Sequence, residues 1–375
     1  MNKRNSYNTL VKMKIAVVGT QGLPNQYGGF ETLADYLVRN LNNKHNITVY
    51  CSSKSIKRGA DEYCGAKLKY INVADHGASG ILYDTLCLLD AQKQKFDVIL
   101  VLGTLSIPSI PFLTKKTLNK CISNFGGLDW LRSKWSHFAQ KVIYHTCRVT
   151  VKYSKIVVSD NLKIQEYIKH DFGRDSYFIA YGGDQSQHLP ITPEMAEKYP
   201  FLNGKYAFEV ARIQPDNNIE MLMKAFMMAD SIPFVLVGNW NKSDYGIEIK
   251  KKYEGKKNLI LLDAIYDKSI LDVLRSNCYL YVHGHSAGGT NPSLCEAMNL
   301  GLPIMAFSNG YNQNTTFNKA LYFEDENQLK DMILSVDVEE LKRIGREMET
   351  LAKQHYRWEY IASEYEKLCY KIIEQ

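Results

Sequence analysis

Short runs of β-branched and aliphatic residues recur along the chain, separated by amphipathic stretches. The first, Lys14–Gly19 (KIAVVG), shows no polar alternation, which is the mark of a strand covered on both faces. A glycine-rich loop follows, and the spacing of apolar positions predicts a helix from Phe30 to Leu41. Asn46–Cys51, Leu68–Val73, Asp97–Leu102 and Lys155–Ser159 repeat the strand signal, with helical stretches between most of them. Strands interleaved with helices at this spacing predict a parallel α/β sheet.

From Tyr181 to Lys205 the sequence turns to Gly, Pro and polar residues without sustained strand periodicity, which reads as an interdomain linker holding at most a short helix. The alternation then restarts with strands at Tyr206–Val210, Phe234–Gly238, Asn258–Leu262, Cys278–His283 and Pro303–Phe307. Helices are expected from Ile219, Ser269 and about Asn291, and the sequence from Leu341 onward is helical and amphipathic. The expected organisation is a first domain over 1–185, a linker over 186–205, a second domain over 206–350 and a closing helical segment over 351–375. Two such sheets face a cleft at the carboxyl ends of their strands, where α/β proteins bind ligands.

A length of 375 residues suits two cores of ordinary size. No stretch reaches the roughly 20 apolar residues of a membrane span, and the nearest, Phe96–Leu113, is interrupted by Gly103, Pro108 and Pro111. The first twelve residues hold three cations and no apolar core, so no export signal is expected. Eight scattered cysteines without a C-x-x-C spacing point to reduced thiols rather than disulfides or a metal cluster. Charge is uneven: residues 1–184 carry 25 Lys and Arg against 14 Asp and Glu, a surplus of 11, while the remainder has 21 against 26. A basic half suggests an anionic partner, and no nucleic-acid-binding motif accompanies it, which leaves an anionic membrane. The expected location is the cytoplasm, at the inner face of the membrane.

Two loops carry the candidate chemistry. In Gly19–Glu31 (GTQGLPNQYGGFE) the glycines, Gly28 and Gly29 above all, let backbone N–H groups approach a phosphate at a helix N-terminus. The G-x-G-x-x-G spacing of a dinucleotide site is absent, so a plain tight turn is the alternative. In Tyr281–Ala297 a strand ends in a small-residue loop, and a helix begins with Thr and Asn before Pro292. The N–H groups of Gly289, Thr290 and Asn291 converge on an anion in this reading. Glu296, one turn on, is placed to accept from a ribose hydroxyl; a capped helix with a surface Glu is the alternative. His283 and His285 share one side of the strand, and without a third ligand nearby they read as phosphate-orienting or packing residues rather than a metal pair. Asp129 and Asp160 end first-domain segments that face the cleft, and either could orient an acceptor hydroxyl or take its proton. Helix capping is an equal reading of Asp160. Trp130, Arg132, Lys134, Trp135, Lys141 and Arg148 interleave aromatics and cations as an interfacial surface does, with core tryptophans as the alternative.

The second loop resembles the donor-binding stretch of the large retaining GT-B family of glycosyltransferases, written E-x7-E. Glu296 matches the second Glu, to which the resemblance assigns the nucleotide ribose, whereas the position of the first, a contact to the transferred sugar, is Gly288. Arg212 falls where the family places the first of its diphosphate cations; the second is Asn217 here. GTQGLPNQYGGFET, NFGGLDWLRSKW and HGHSAGGTNPSLCEAM together resemble bacterial rhamnosyltransferases of capsule and cell-wall polysaccharide synthesis. The chain has Gly126-Gly127 where that subgroup has Asp-Gly. The resemblance implies an α/β GT-B fold of two Rossmann-like domains, with a C-terminal helix crossing back to the first. It also implies retaining transfer of L-rhamnose from dTDP-rhamnose to a lipid-diphosphate-linked saccharide. With no Asp-x-Asp in the sequence, neither a metal nor another cofactor is expected, and His285, Asp129 and Asp160 are the catalytic candidates. A GT-B-shaped epimerase or hydrolase, and a binding module that has lost catalysis, are the competing expectations. Donor consumption with and without acceptor separates the three.

Overall fold

The computed structural model describes residues 12–24, 28–132 and 135–374, with the side chains of Ala78 and Asp129 outside that set. Lys134, part of the expected interfacial surface, also lies outside the described residues. The first sheet comprises β1 (Lys14–Val18), β2 (Asn46–Ser52), β3 (Glu62–Tyr63), β4 (Ala66–Ile71), β5 (Val98–Leu102), β6 (Cys121–Phe125), β7 (Ile156–Ser159) and β8 (Tyr177–Phe178). Their spatial order is β3-β4-β2-β1-β5-β6-β7-β8, parallel except for the β3–β4 hairpin. The second sheet holds β9 (Ala207–Val210), β10 (Phe234–Gly238), β11 (Leu259–Asp263), β12 (Leu280–His283), β13 (Ile304–Phe307) and β14 (Leu321–Phe323). It is wholly parallel, in the order β11-β10-β9-β12-β13-β14. Helices cover both faces of each sheet, so the central strands are buried on both sides and read as continuous apolar runs.

Strand β6 departs from that rule. All five residues of Cys-Ile-Ser-Asn-Phe are buried, including two polar ones that hide the strand from an apolar-run criterion. Each finds a partner, which eases the cost of burial, although Asn124 Oδ1 has none among the described residues. Ser123 Oγ lies 2.7 Å from Ser154 Oγ, and Asn124 Nδ2 donates to Tyr365 Oη at 2.7 Å. β14, with three residues at a sheet edge, is too short to carry a periodic signal.

Tyr365 belongs to the last helix, Trp358–Ile373, which leaves the second domain and packs on the first helix, Gly29–Leu41. Trp358 stacks on Tyr36 with centroids 4.6 Å apart and planes 6° from parallel. Lys44 Nζ and His45 Nε2 bracket the Glu366 carboxylate at 2.9 and 3.0 Å. The preceding helix, Val338–His355, stays with the second domain against the helix Pro292–Asn299. There Gly345 approaches so closely that a Cβ would lie 2.3 Å from the Gly301 carbonyl oxygen. The linker region contains a helix at Pro193–Lys198 and a short 3-10 turn at Pro200–Asn203.

The expected interfacial surface is divided by the fold. Trp130 is buried, its ring 5.7 Å from that of Tyr144, 5.4 Å from Tyr167 and 6.2 Å from Phe172. Arg132 turns inward, with Nη1 3.4 Å from Asp216 Oδ2 in the second domain. Trp135, Lys141 and Arg148 do face outward, joined on the helix His137–Tyr153 by exposed Phe138 and Val142. Aromatic–cation interleaving is produced equally by a helix with one packed and one wet face, which is why the sequence pattern pointed to one surface. Among the described residues no helix is long and apolar enough to cross a membrane. All eight cysteines are free, and all but Cys64 are buried.

Removing the Tyr365 hydroxyl (Tyr365→Phe) leaves the buried Asn124 amide without its acceptor. Urea unfolding should show a loss of about 1–3 kcal/mol, the cost of one unmet buried polar group. An unchanged midpoint would mean that this cross-domain bond contributes nothing.

Candidate active site in the interdomain cleft

The carboxyl ends of both sheets point into one cleft. On the first-domain side, Gly28 precedes the first helix at φ 133, a conformation that favours glycine. A Cβ there would also lie 2.0 Å from Glu31 Oε2. Gly29 opens the helix, and Glu31, in its first turn, accepts from Gln21 N at 2.9 Å. Burial raises the Glu31 carboxyl above its ordinary range; the Gln21 N–H and, across the cleft, the charge of Arg212 pull it back. Glu31 was not among the expected site residues, although Gly-Gly-x-Glu at a helix start marks an acidic first turn.

On the opposite side β12 runs into the loop 284–291 and then the helix Pro292–Asn299. Asn291 caps that helix, its Oδ1 accepting from Ser293 N at 3.0 Å and Ser293 Oγ at 2.8 Å. Thr290 Oγ1 donates to the backbone carbonyl of Asp160 in the first domain. Gly289 lies so close to the same residue that a Cβ would sit 1.8 Å from Asp160 Oδ1. Gly288, at φ 134, faces Gly127 and Arg132. The loops 126–132 and 288–291 thus touch across the cleft with Asp160, 1% exposed, between them. Capping of the next helix is done by Asn161, whose Oδ1 accepts from Lys163 N at 3.0 Å, and not by Asp160. Lys163 Nζ reaches the Asn309 carbonyl at 2.9 Å, and Asn161 Nδ2 reaches the Tyr311 carbonyl at 3.2 Å, further closing this edge.

Arg212 follows β9 on the exposed side of the cleft, while Asn217 is buried and donates from Nδ2 to the Arg212 carbonyl at 2.7 Å. Asn217 therefore braces the segment that presents Arg212 and supplies no second cation. Glu296 is held from behind: Arg275 Nη1 pairs with its Oε2, and Gln185 Nε2 donates to its Oε1 at 2.6 Å. Arg275 is 2% exposed, and Asp272 adds a second negative charge near it. Neither Arg275 nor Gln185 was expected from sequence, since a partner 21 or 111 residues away is visible only in the fold.

His283 is buried with no hydrogen-bond partner among the described residues, and burial followed by the neighbouring His285 pushes its pKa well below 6.5, so it is neutral. His285, at the cleft edge, has Nδ1 3.6 Å from Oε1 of the fully buried Glu209, which also accepts from Gly284 N at 3.0 Å. One ligand-type atom from each of these three residues lies within 4.8 Å of the others. The two imidazoles are stacked, however, with centroids 4.3 Å apart and planes 8° from parallel. A metal sits in the plane of each ring that binds it, so stacked rings cannot converge on one ion as they stand. Asp129 begins a 3-10 turn, Asp129–Leu131, at the cleft entrance, and its side chain lies outside the described residues.

Residues 12–184 match the family "Domain of unknown function (DUF1972)" and residues 192–338 match "Glycosyl transferases group 1". A comparison with curated proteins finds no match. Among solved structures, sucrose-phosphate synthase from Thermosynechococcus elongatus is 14% identical over 97% of this chain and 100% of that chain, with a TM-score of 0.78. HepE from Anabaena, solved in complex with UDP and glucose, is 15% identical over 96% and 100%, with a TM-score of 0.70. A glycosyltransferase from Rickettsia africae is 13% identical over 97% and 100%, with a TM-score of 0.72. At these identities the likeness establishes the shared two-domain architecture.

The Arg275–Glu296 pair makes a prediction that separates structure from binding. Glu296→Gln should destabilise the protein by about 3–5 kcal/mol, because it leaves a buried guanidinium short of its counter-ion. The double variant Arg275→Met, Glu296→Leu should regain most of that loss in urea unfolding. A single variant as stable as the unmodified protein would show that the pair is not needed for folding.

Proposed function

We propose that this chain, which carries a glycosyl transferases group 1 domain within a GT-B fold, transfers a sugar from a nucleotide donor to a lipid-diphosphate-linked saccharide. The donor in this reading is dTDP-rhamnose, and transfer proceeds with retention. The observation that carries the reading is the convergence, in one cleft, of Arg212, the Gly288–Asn291 loop at a helix N-terminus, and a carboxylate braced by Arg275 and Gln185. A diphosphate needs positive charge and N–H donors, and a ribose needs a fixed acceptor. HepE, a structural relative, has been solved with UDP-glucose, which agrees with a nucleotide-sugar donor. Rhamnose is favoured by the resemblance of the Gly-Gly-Thr-Asn-Pro-Ser loop to rhamnosyltransferases and by Gly288 in place of the sugar-binding acid.

In the reaction, Arg212 and the N–H groups at the start of the helix Pro292–Asn299 stabilise the charge that builds on the leaving diphosphate. No metal takes part. Glu296 holds the ribose, and Asp160, buried where the two loops meet, orients the attacking hydroxyl. A phosphate oxygen of the donor takes the hydroxyl proton, so the new glycosidic bond forms on the face that the diphosphate leaves. Arg212→Ala should weaken donor binding by about 2–3 kcal/mol, the scale of a lost charge-assisted pair, while EDTA leaves turnover of dTDP-rhamnose intact. Calorimetric titration of the donor and a turnover assay with and without lipid-linked acceptor test this. Equal affinity in the variant, loss of activity with EDTA, or donor turnover independent of acceptor would each contradict it.

The acceptor is presented at an anionic membrane in this reading, which the outward face of the helix His137–Tyr153 supports. Phe138 and Val142 stand exposed among Lys141, Arg148 and Lys152. Replacing Lys141, Arg148 and Lys152 with Gln should cost about 1 kcal/mol each in binding to anionic vesicles. The attraction should fade in high salt, and turnover of a short soluble acceptor should survive. Co-sedimentation that is equal on neutral and anionic lipid would exclude an electrostatic dock.

A further inference from the structure

The chain enters the second domain through Gln185, whose side-chain amide is buried between two partners of opposite chemistry. Nε2 donates to Glu296 Oε1 at 2.6 Å, and Oε1 accepts from Trp358 Nε1 at 2.6 Å. A carboxylate can only accept and an indole N–H can only donate, so the partners fix which end of the amide faces which. Glu at this position would set two carboxylates against each other, and an apolar residue would leave the buried indole N–H unmet.

The backbone around Gln185 is equally committed. A Cβ on Gly182 would lie 2.5 Å from the Trp358 ring, and one on Gly183 would lie 2.3 Å from the Cys295 carbonyl oxygen. Gly183 N donates to the Tyr356 carbonyl at 2.7 Å, and Trp358 N donates to Asp184 Oδ1 at 2.8 Å. Lys268 Nζ donates to the Gln185 carbonyl. On its far face the Trp358 ring lies flat on Tyr36, in the helix whose N-terminus carries Gly28, Gly29 and Glu31. An unbroken line of contacts therefore runs Arg275–Glu296–Gln185–Trp358–Tyr36, from the proposed ribose acceptor to the first-domain wall of the cleft.

We propose that Gln185 couples the two halves of the site: a nucleoside diphosphate whose ribose donates to Glu296 fixes the Gln185 amide, the Trp358 indole and hence the seating of the first domain. The coupling rests on the reading of Glu296 as the ribose partner given above. Gln185 acts through Glu296 and Trp358, so it is a positioning residue. Coupling through one shared element changes affinities by roughly 5–150-fold.

The test uses the full chain with dTDP and UDP as probes, measuring affinity by calorimetry and amide hydrogen exchange across residues 358–373. In the unmodified protein the bound nucleotide slows exchange in that helix. Gln185→Leu weakens nucleotide binding about tenfold, the loss of one hydrogen bond to a charged group, and abolishes the nucleotide-dependent protection. Trp358→Phe keeps a ring on Tyr36 but lacks the N–H, so it also loses the protection, and it carries the test if Gln185→Leu does not fold. Protection that persists in Trp358→Phe overturns the coupling, whatever happens to affinity. Nucleotide binding to the unmodified protein without any protection of 358–373 overturns it too, yet leaves the donor-site reading standing. Failure of both nucleotides to bind overturns both.

Discussion

A guanidinium shut away from water must have its counter-ion beside it, and in this protein that requirement organises the second-domain side of the cleft. Arg275 is held in the core by the helix Lys268–Ser276, and its charge is met by Glu296 on the helix Pro292–Asn299. The two helices flank β12, so the pair fixes the helix that follows the glycine loop at its cleft-facing end. The position of the loop follows, because its Thr-Asn-Pro exit is the start of that helix. A buried pair of this kind adds little net stability over well-packed apolar residues. Its value lies in leaving only one arrangement of Glu296 without a large penalty, the kind of fixed carboxylate that the proposed ribose contact would require.

Part of the contact between the domains is made by atoms that tolerate no side-chain growth. Gly289 against Asp160 and Gly183 against the Cys295 carbonyl bring backbone to within touching distance of the opposite wall, and Gly182 does the same against Trp358. Small residues here are a condition of the two walls meeting as closely as they do.

How much of this was legible in the sequence depends on the reach of each interaction. β1 and β10 were readable because a parallel strand covered on both faces is apolar throughout. β6 was not, because Ser123 and Asn124 are tolerated only through partners contributed by Ser154 and Tyr365. The glycine loops and Glu296 were visible as local patterns; Arg275, Gln185 and the buried Glu209 were not, since each owes its role to a distant residue. Trp130 misled because an aromatic beside cations describes a wet face and a packed turn alike. The structure resolves it into the latter, against Tyr144, Tyr167 and Phe172.

The bond from Asn124 to Tyr365 joins positions 241 residues apart, and that separation bears on how the protein is made. Domains tend to fold as they emerge, the N-terminal one first. Here the first domain emerges with a polar amide in its sheet and its first helix uncovered, and both are completed only by the much later helix Trp358–Ile373. Until that helix has emerged, the face of Gly29–Leu41 that it covers stays open to water.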